Sequence, residues 1–257
     1  MNGKVFVVTH KHVDQRVTLK PYSYIGVGEN GNKLDCEYCD STGVNISEKN
    51  PYYCELTALY WIWKNYQLNE DYYGLCHYRR FFTNSAFSNS NAHILNEKQI
   101  SHYLQSYDII LPIEYHWKKS VGENYSSNGA GKAKDLNLLL DVMTARYPEY
   151  LEDAKKVLES NHASYCNMFI MNSKFFSPYC EWLFNLLNDL EGKIDCSNYN
   201  VQEKRVFGYL SEIMINIWAI HNQLKIKHLP IAYTDCGWKG QIKLGLRDLT
   251  SFIFPIK

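Results

Sequence analysis

The sequence is organised around residues 45–82, which read NISEKNPYYCELTALYWIWKNYQLNEDYYGLCHYRRFF. Asn50 followed by Pro51 predicts a helix with the asparagine as N-cap and the proline at the first helical position, where its fixed φ suits a helix. Apolar side chains then recur at helical spacing, at Leu56, Leu59, Tyr60 and Trp63. We therefore expect one helix with an apolar stripe, followed by a buried strand over residues 72–76.

Four polar or basic residues follow that strand, His77, Tyr78, Arg79 and Arg80. Ligands of open α/β sheets bind at the carboxyl ends of the strands. Side chains alternate in an extended segment, so we expect His77 and Arg79 on one face, and Tyr78 and Arg80 on the other. A guanidinium beside an imidazolium predicts a diphosphate site. The alternative is that the arginines reach solvent or pair with a structural carboxylate such as Glu55.

Length and charge limit the function classes. A chain of 257 residues can bury one large core, and we expect residues 1–257 to form a single α/β domain. The 27 Lys and Arg residues balance 27 Asp and Glu residues, so there is no global field to recruit nucleic acid. The 21 Tyr, 11 Phe and 6 Trp residues supply flat, amphipathic surfaces suited to stacking on sugars and bases.

The sequence indicates a cytoplasmic protein. The first residues lead directly into a strand pattern without the features of a signal peptide, and no segment approaches the roughly 18 apolar residues that span a bilayer. Eight cysteines are consistent with reduced thiols. Cys36 and Cys39 have the spacing of a zinc knuckle, but no second pair matches it, so we predict no metal site there.

The rest of the chain alternates between strand and helix patterns. Residues 4–8 predict a first strand with Thr9, His10 and Lys11 at its carboxyl end, where an α/β transferase meets its nucleotide. Asp135 and the pair Ser177-Pro178 predict helix starts, and residues 114–134 predict irregular structure. The alternation predicts an α/β fold with a mostly parallel central sheet and helices on both faces.

Six blocks of the chain, in order, resemble the DUF4422 family of bacterial polysaccharide glycosyltransferases. The blocks are residues 45–65, 74–82, 107–112, 167–171, 180–184 and 205–212. The resemblance implies a sugar transferase of capsule, exopolysaccharide or O-antigen synthesis with a single-domain GT-A fold. Some members are regarded as galactofuranosyltransferases, so it also implies an inverting enzyme that uses UDP-galactofuranose and a growing glycan on a lipid carrier.

Glycosyl transfer needs positive charge beside the departing diphosphate. GT-A enzymes usually supply it with Mn²⁺ or Mg²⁺ held by Asp-x-Asp, a motif that this sequence lacks. We therefore predict no metal ligands and expect side-chain cations to take the place of the ion, with metal dependence as the open alternative. The predicted nucleotide and diphosphate residues are Thr9, His10, Lys11, His77, Tyr78, Arg79, Arg80 and Arg205.

Inversion also needs a carboxylate that accepts the proton of the acceptor hydroxyl. Glu212 is the first candidate because it shares a family-like block with Arg205, and Glu203 and Glu181 are alternatives. The non-catalytic alternative for each is an ordinary ion pair on a helix surface. The predicted sugar- and acceptor-binding residues are Tyr53, Glu55, Asn167 and Trp117.

Two other function classes remain open at this stage, a glycoside hydrolase and a non-catalytic carbohydrate-binding module. Neither requires nucleotide affinity, which therefore separates both from a transferase. The C-terminal tail predicts contact with an anionic membrane surface or with the diphosphate, the alternative being scattered solvated cations. The tail residues in question are Trp238, Lys239, Lys243, Arg247, Phe252, Phe254 and Lys257.

Overall fold

A nine-stranded sheet runs through the protein in a computed structural model that describes residues 1–14, 16–129, 131–251, 253 and 255–256. Phe252, Phe254 and Lys257 of the tail prediction lie outside the described residues. The sheet strands are β1 (Gly3–Thr9), β2 (Tyr22–Gly26), β3 (Tyr38–Cys39), β4 (Tyr72–His77), β5 (Arg80–Phe82) and β6 (Ile109–Pro112), then β9 (Phe169–Asn172), β10 (Ile226–Leu229) and β11 (Ile231–Tyr233). A separate two-stranded sheet pairs β7 (Tyr115–His116) with β8 (His162–Ala163).

The sheet is mostly parallel, with the strand order β10-β6-β9-β4-β1-β2-β3. β1 is parallel to β2 and β4, β2 to β3, and β10 to β6, whereas β9 is antiparallel to both β4 and β6. β5 turns back antiparallel to β4 and also pairs with β11. The carboxyl ends of β1 and β4 therefore lie side by side at one edge, as the sequence predicted.

Helices cover the sheet and complete two cores. They are α1 (Asn50–Tyr53), α2 (Leu56–Asn65), α3 (Glu97–Leu104), α4 (Val121–Ser127), α5 (Ala133–Arg146), α6 (Leu151–Glu159), α7 (Ser173–Glu191), α8 (Val206–His221) and α9 (Trp238–Thr250). β1 shows both cores, because Phe6 and Val8 belong to one apolar cluster while Val5 and Val7 belong to the other. A strand buried on both faces is typical of α/β proteins, so the predicted fold class is confirmed.

The helix predicted to follow Asn50 is broken in two. Cys54 has φ 52° and ψ −129°, which ends α1 and redirects the chain into α2. Asn50 is inside α1, not its N-cap, and its Nδ2 donates to Cys54 O at 2.8 Å and Thr57 Oγ1 at 3.0 Å. Asn50 thus satisfies the carbonyl at the break.

Three further local predictions were wrong. Asp135 is the third residue of α5, and its carboxylate accepts a hydrogen bond from Lys132 N at 2.8 Å. Pro178 lies inside α7, because that helix begins five residues earlier, at Ser173. Residues 114–134 contain β7 and α4, the latter started by a capping box in which the Ser120 hydroxyl accepts from Glu123 N. The first two errors came from side-chain signals that the structure uses at a different helical position.

Candidate active site

The basic residues after β4 form a two-residue turn. Tyr78 and Arg79 make the turn, and His77 pairs directly with Arg80 across the antiparallel β4–β5 pair. Opposite residues of such a pair project to the same face, so His77 shares a face with Arg80, and the predicted alternation with Arg79 was wrong. Tyr78 N donates to Val8 O, and Thr234 N donates to Arg79 O, each at 3.0 Å. The turn is therefore fixed at both ends.

A cavity of about 390 Å³, here called the basic cavity, opens beside this turn at the carboxyl ends of β1 and β4. Five separate segments of the chain line it: Val8, His10, Val27, Asn50, Pro51, Cys54, Glu55, His77, Tyr78, Arg79, Arg80 and Arg205. Because the chain changes direction at Cys54, Glu55 lies in the wall of the cavity. The cavity collects six of the eight residues predicted to bind nucleotide or diphosphate, all but Thr9 and Lys11.

Arg80 is the most unusual cation of this cavity. Its Nε is buried without a hydrogen-bond partner, and among the described residues its side chain makes no hydrogen bond and no ion pair. The groups that act on its charge are Cys166, Tyr233, Glu212 and Tyr115, and of these only Glu212 is a carboxyl. Its Cζ lies 6.0 Å from the centre of the Tyr233 ring, so the guanidinium has a cation–π contact but no carboxylate partner, which is costly for a charge with a buried Nε and indicates a site for an anionic ligand.

Arg205 and Arg79 present further positive charge. Arg205 Nε donates to Cys54 Sγ at 3.1 Å and Nη1 to Tyr209 OH at 3.2 Å, neither of which is a carboxylate. Arg79 is partly neutralised, since its Nη1 lies 3.2 Å from Asp235 Oδ2. Burial lowers the pKa of His10, and the charges of Lys11, Arg79 and Arg205 lower it further. Cations from three parts of the chain thus surround one space.

His77 acts as a neutral ring. Its Nε2 lies 2.6 Å from Cys166 O, and because a carbonyl oxygen only accepts, Nε2 carries the proton and donates. Burial lowers the pKa of His77, the charges of Arg80 and Arg79 acting in the same direction and Glu55 opposing them. Nδ1 is then a hydrogen-bond acceptor near neutral pH. The sequence expectation of an imidazolium at this position was therefore wrong, while its place beside the cavity was right.

Glu212 and Glu55 bring two carboxyl groups to the same region. Burial, followed by the charge of Glu55, raises the pKa of Glu212 to about 8, against the opposing charges of Arg80 and Arg205. Glu55 is held in place, because its Oε1 accepts a hydrogen bond from Asn167 Nδ2 at 2.5 Å. A carboxyl group with a pKa near neutrality can take up and release a proton during a reaction.

The loop before β9 holds these groups with a strained backbone. Cys166 and Asn167 have φ of 81° and 48°, in the left-handed region that non-glycine residues rarely adopt. Asn167 also donates to Gly208 O at 2.8 Å and accepts from Ser211 Oγ at 2.9 Å. Strain of this kind persists where the surroundings enforce it, and here it aims Cys166 O at His77 and the Asn167 amide at Glu55.

A second cavity of about 210 Å³, here called the aromatic cavity, has Glu212 in its wall. Its other lining residues are Tyr115, Trp117, Val121, Asn124, Tyr125, Asn128, Tyr165, Tyr209 and Ile213. Tyr115 stacks on Tyr165 with ring centroids 5.9 Å apart, and Trp117 meets Tyr165 edge-on. Flat rings with polar tips suit the faces of sugar rings. Glu212 connects the two cavities, because it lines this one and interacts electrostatically with Glu55, Arg80 and Arg205 of the other.

Some predicted residues lie away from both cavities. Tyr53 is buried in the core, where it stacks on Phe207 at 4.7 Å. Glu203 accepts a hydrogen bond from Asn200 N, and Glu181 is exposed on α7. Thr9 is buried, and its hydroxyl donates to Lys11 O at 2.6 Å, which closes the end of β1.

Lys11 lies at the rim of the basic cavity, with Nζ 5.2 Å from the centre of the Tyr78 ring. Asn167 reaches the site through Glu55, and Trp117 lines the aromatic cavity. Cys54, Tyr115 and Tyr233 were not predicted. The tyrosines come together only because β11 pairs with β5, and their hydroxyls are 2.9 Å apart. No local sequence signal indicates that contact.

Potential metal ligands are dispersed in the part of the chain that the structure describes, where no three His, Cys, Asp or Glu side chains are grouped so as to hold an ion. None of the described helices is both long and apolar enough to cross a membrane. The positive charge at the basic cavity is supplied by arginine side chains.

Fold and site together define an α/β protein with arginine side chains clustered at the carboxyl edge of its sheet and, on α8 nearby, the Glu212 carboxyl, whose pKa is raised to about 8. Residues 4–223 match the family described as "Domain of unknown function (DUF4422)", and the chain belongs to that family. This confirms the resemblance seen in the sequence.

Among solved structures, the chain is similar to the apo structure of the WbbM bifunctional glycosyltransferase, with a TM-score of 0.83 and 31% sequence identity. The match covers 92% of this chain and 46% of that chain, so this chain spans about half the length of that protein. No curated protein matches the chain.

Proposed function

We propose that this protein is a glycosyltransferase that transfers a sugar from a UDP-sugar to a growing bacterial surface polysaccharide. The observation that carries the proposal is Arg80, which begins β5 opposite His77 and whose Nε is buried without a hydrogen-bond partner. Its neighbour Glu212 has the raised pKa expected of an acid-base group. The similarity to a structure titled as a bifunctional glycosyltransferase supports the same reaction class.

The basic cavity takes the donor in this proposal. Arg80 and Arg205 would bind the diphosphate, with Arg79 and Lys11 adding charge at the rim and His10, whose pKa is lowered, lining the cavity. His77 Nδ1 would accept a hydrogen bond from a sugar or ribose hydroxyl. The proposed fold type is GT-A, and the nucleotide would lie across the carboxyl edge of the sheet, where open α/β sheets bind their ligands. Guanidinium groups stabilise the charge that develops on the leaving diphosphate.

Glu212 is the proposed base. An acceptor hydroxyl gives its proton to the Glu212 carboxylate as its oxygen forms a bond to the anomeric carbon, and the bond from that carbon to the diphosphate breaks with its electron pair. The product has inverted configuration. Glu212 is preferred to Glu203 and Glu181 because only Glu212 lies at a cavity that also faces the cations.

The donor and acceptor are proposed from the family resemblance. UDP-galactofuranose is the proposed donor, and the acceptor is a glycan of capsule, exopolysaccharide or O-antigen synthesis on a lipid carrier. The aromatic cavity would receive the acceptor sugar, with Trp117 and Tyr165 against its faces. The reaction would take place in the cytoplasm at the inner face of the membrane.

Thermal unfolding with UDP tests the proposal, with GDP, CMP and dTDP as controls, in EDTA and again with Mn²⁺. A ligand that binds only the folded state stabilises it by about 2.7 kcal/mol at a hundredfold excess over Kd. We expect a UDP-selective rise in Tm that survives EDTA. A rise seen only with Mn²⁺ would retain the transferase and refute the arginine-based diphosphate site. Absence of a response to every nucleotide would favour a hydrolase or a carbohydrate-binding module.

A further inference from the structure

Apolar side chains are exposed in a line along α9. Trp238, Leu246 and Leu249 are 66%, 49% and 39% exposed, and Ile253, just beyond the helix, is 58% exposed. Together with the part-buried Ile242, their spacing of four, four, three and four residues places them on one stripe of a helix. Such a continuous line differs from the single exposed apolar residues that occur on most surfaces.

Contacts on the opposite side of α9 fix the orientation of this stripe. Gln241 is fully buried, with its Oε1 accepting from Tyr233 N and its Nε2 donating to Ala86 O, each at 2.8 Å. A Cβ added to Gly245 would lie 2.1 Å from Ala86 O, so the helix packs closely there. We call the following residues the apolar patch: the exposed Trp238, Leu246, Leu249 and Ile253, and the part-buried Ile242.

The charge beside the apolar patch is positive. Lys239 and Lys243 are exposed one helical position from the stripe, and neither makes an ion pair with a described residue. The one carboxylate of α9, Asp248, is 5% exposed and is bound by Arg247 Nη2 at 2.6 Å. An apolar stripe flanked by lysines, with a tryptophan at its start, has the composition of helices that lie in the interface of an anionic bilayer.

The patch is narrow for a protein partner. Five side chains, four of them in a helix of 13 residues, fall short of the 20–30 residues on each side of a typical stable protein interface. A helix in a bilayer interface needs only such a stripe, because lipid closes around it. The patch also adjoins the proposed acceptor site, since Arg247 Nη2 donates to Tyr115 OH of the aromatic cavity at 2.9 Å.

We propose that the apolar patch docks this protein on the surface of an anionic lipid bilayer, with the stripe at the level of the acyl chains and Lys239 and Lys243 at the lipid phosphates. The docking proposal is argued from the apolar patch and its lysines and does not depend on the proposed function. Its consequence, that the aromatic cavity faces a lipid-linked glycan, rests on the proposed function.

Vesicle flotation tests the docking with the full chain. We expect binding to phosphatidylcholine vesicles containing 30% phosphatidylglycerol, weak binding to pure phosphatidylcholine, and loss of binding at high salt. The double variant Leu246→Ser/Leu249→Ser is expected to bind at least tenfold more weakly. Each of Lys239→Ala and Lys243→Ala is expected to weaken binding about fivefold, from about 1 kcal/mol per basic residue.

Matched controls use exposed residues outside the patch. Ile220→Ser removes an apolar side chain that is 44% exposed, and Lys98→Ala removes an exposed charge. Equal losses in these controls, or no flotation of the natural protein, would overturn the proposal. So would a natural dimer that Leu246→Ser/Leu249→Ser converts to a monomer, since a second copy would then cover the patch. If UDP raises Tm but the protein does not float with vesicles, only the docking proposal is refuted. If the protein floats with vesicles but UDP does not raise Tm, only the proposed function is refuted.

Discussion

At the scale of single residues, the proposed ligand site depends mainly on Arg80. Its charge is partly buried, and no described residue pairs with it, although Glu212 lies within electrostatic reach. A structural arginine in this position would have a carboxylate partner, as Arg247 has in Asp248, whose Oδ1 accepts from both Nε and Nη2 of the guanidinium. Natural sequences depart from the rule that buried charges are paired mainly where function requires it. A charge that lowers stability because it has no carboxylate partner is therefore what we expect at a ligand site.

This reasoning predicts opposite effects of Arg80→Met on folding and on binding. The free energy of unfolding is expected to stay equal or rise by about 1–4 kcal/mol, because the variant no longer buries an unpaired charge. The affinity for UDP is expected to fall at least tenfold. Urea unfolding measures the first and the UDP-induced rise in Tm the second.

Arg146→Met is the matched control. Arg146 lies on the surface and pairs with Asp189 at 3.4 Å, a contact expected to change stability by less than about 1 kcal/mol and UDP affinity not at all. A strongly destabilised Arg80→Met that still binds UDP as the natural protein does would assign Arg80 a purely structural role.

At the scale of elements, β4 is the strand on which the site depends. It pairs with β1, β9 and β5, and its carboxyl end leads into the basic turn. Gly74 lies in its middle, where an added Cβ would be 2.8 Å from Ile170 Cγ1 and 2.9 Å from Phe169 O of β9. Only a residue without a side chain allows β9 to approach this closely.

We therefore expect Gly74→Ala to lower the free energy of unfolding by about 1–3 kcal/mol, the usual cost of overpacking a core. Urea unfolding measures it. Gly192→Ala is the control, since nothing lies within 4 Å of a Cβ there and its φ of −72° is one that alanine adopts freely. A change of less than about 1 kcal/mol is expected for it. Equal effects of the two substitutions would show that contact with β9 is not the reason for the glycine.

The sequence predicted elements well where one periodic pattern acts alone. The strands predicted over residues 4–8 and 72–76 correspond to β1 and β4. Errors occurred where one residue reverses the chain direction. Cys54 breaks a helix by adopting a positive φ, and Tyr78 and Arg79 form the turn that reverses the chain after β4. None of these three residues is a glycine or a proline, so the sequence carries no local signal of the reversal. Tertiary contacts decided those conformations.

At the scale of the whole molecule, the site is an assembly of distant segments. Residues near 8–10, 27, 50–55, 77–80 and 205 meet at the basic cavity, and the sequence identified three of these groups because they carry charge at predicted strand or helix ends. The contributions of Cys166, Tyr115 and Tyr233 depend on the pairing of β11 with β5 and on the loop before β9. Strand order across 150 residues cannot be read from local pattern, so these contacts could not be predicted.

Glu212 links the site to the stability of the whole protein. Its pKa is raised from the ordinary 4.5 to about 8 in the folded state, so the folded protein keeps a proton that the unfolded chain releases. The stabilisation associated with that proton is complete below pH 4.5 and is lost as pH rises to about 8. We expect Glu212→Gln to remove this part of the pH dependence in urea unfolding between pH 5.5 and 9.

The same substitution is expected to lower kcat/KM by about 10²–10⁴, the usual contribution of a general base. In the natural protein kcat/KM is expected to rise with pH to a plateau above about pH 8, as Glu212 loses its proton. Glu181→Gln, on the exposed side of α7, is the control that leaves both properties unchanged. If Glu181→Gln abolished activity and Glu212→Gln did not, the assignment of the base would be reversed.

The tethered turn between β4 and β5 has a thermodynamic consequence. Its backbone is bonded to Val8 on one side and to Thr234 on the other before any ligand arrives. Ligand binding therefore orders little of the backbone at this turn. As a result, little of the favourable interaction with the arginines is offset by a loss of conformational entropy. A ligand meeting this turn finds its partners already in position, so discrimination between nucleotides rests on how well each one fits a fixed geometry.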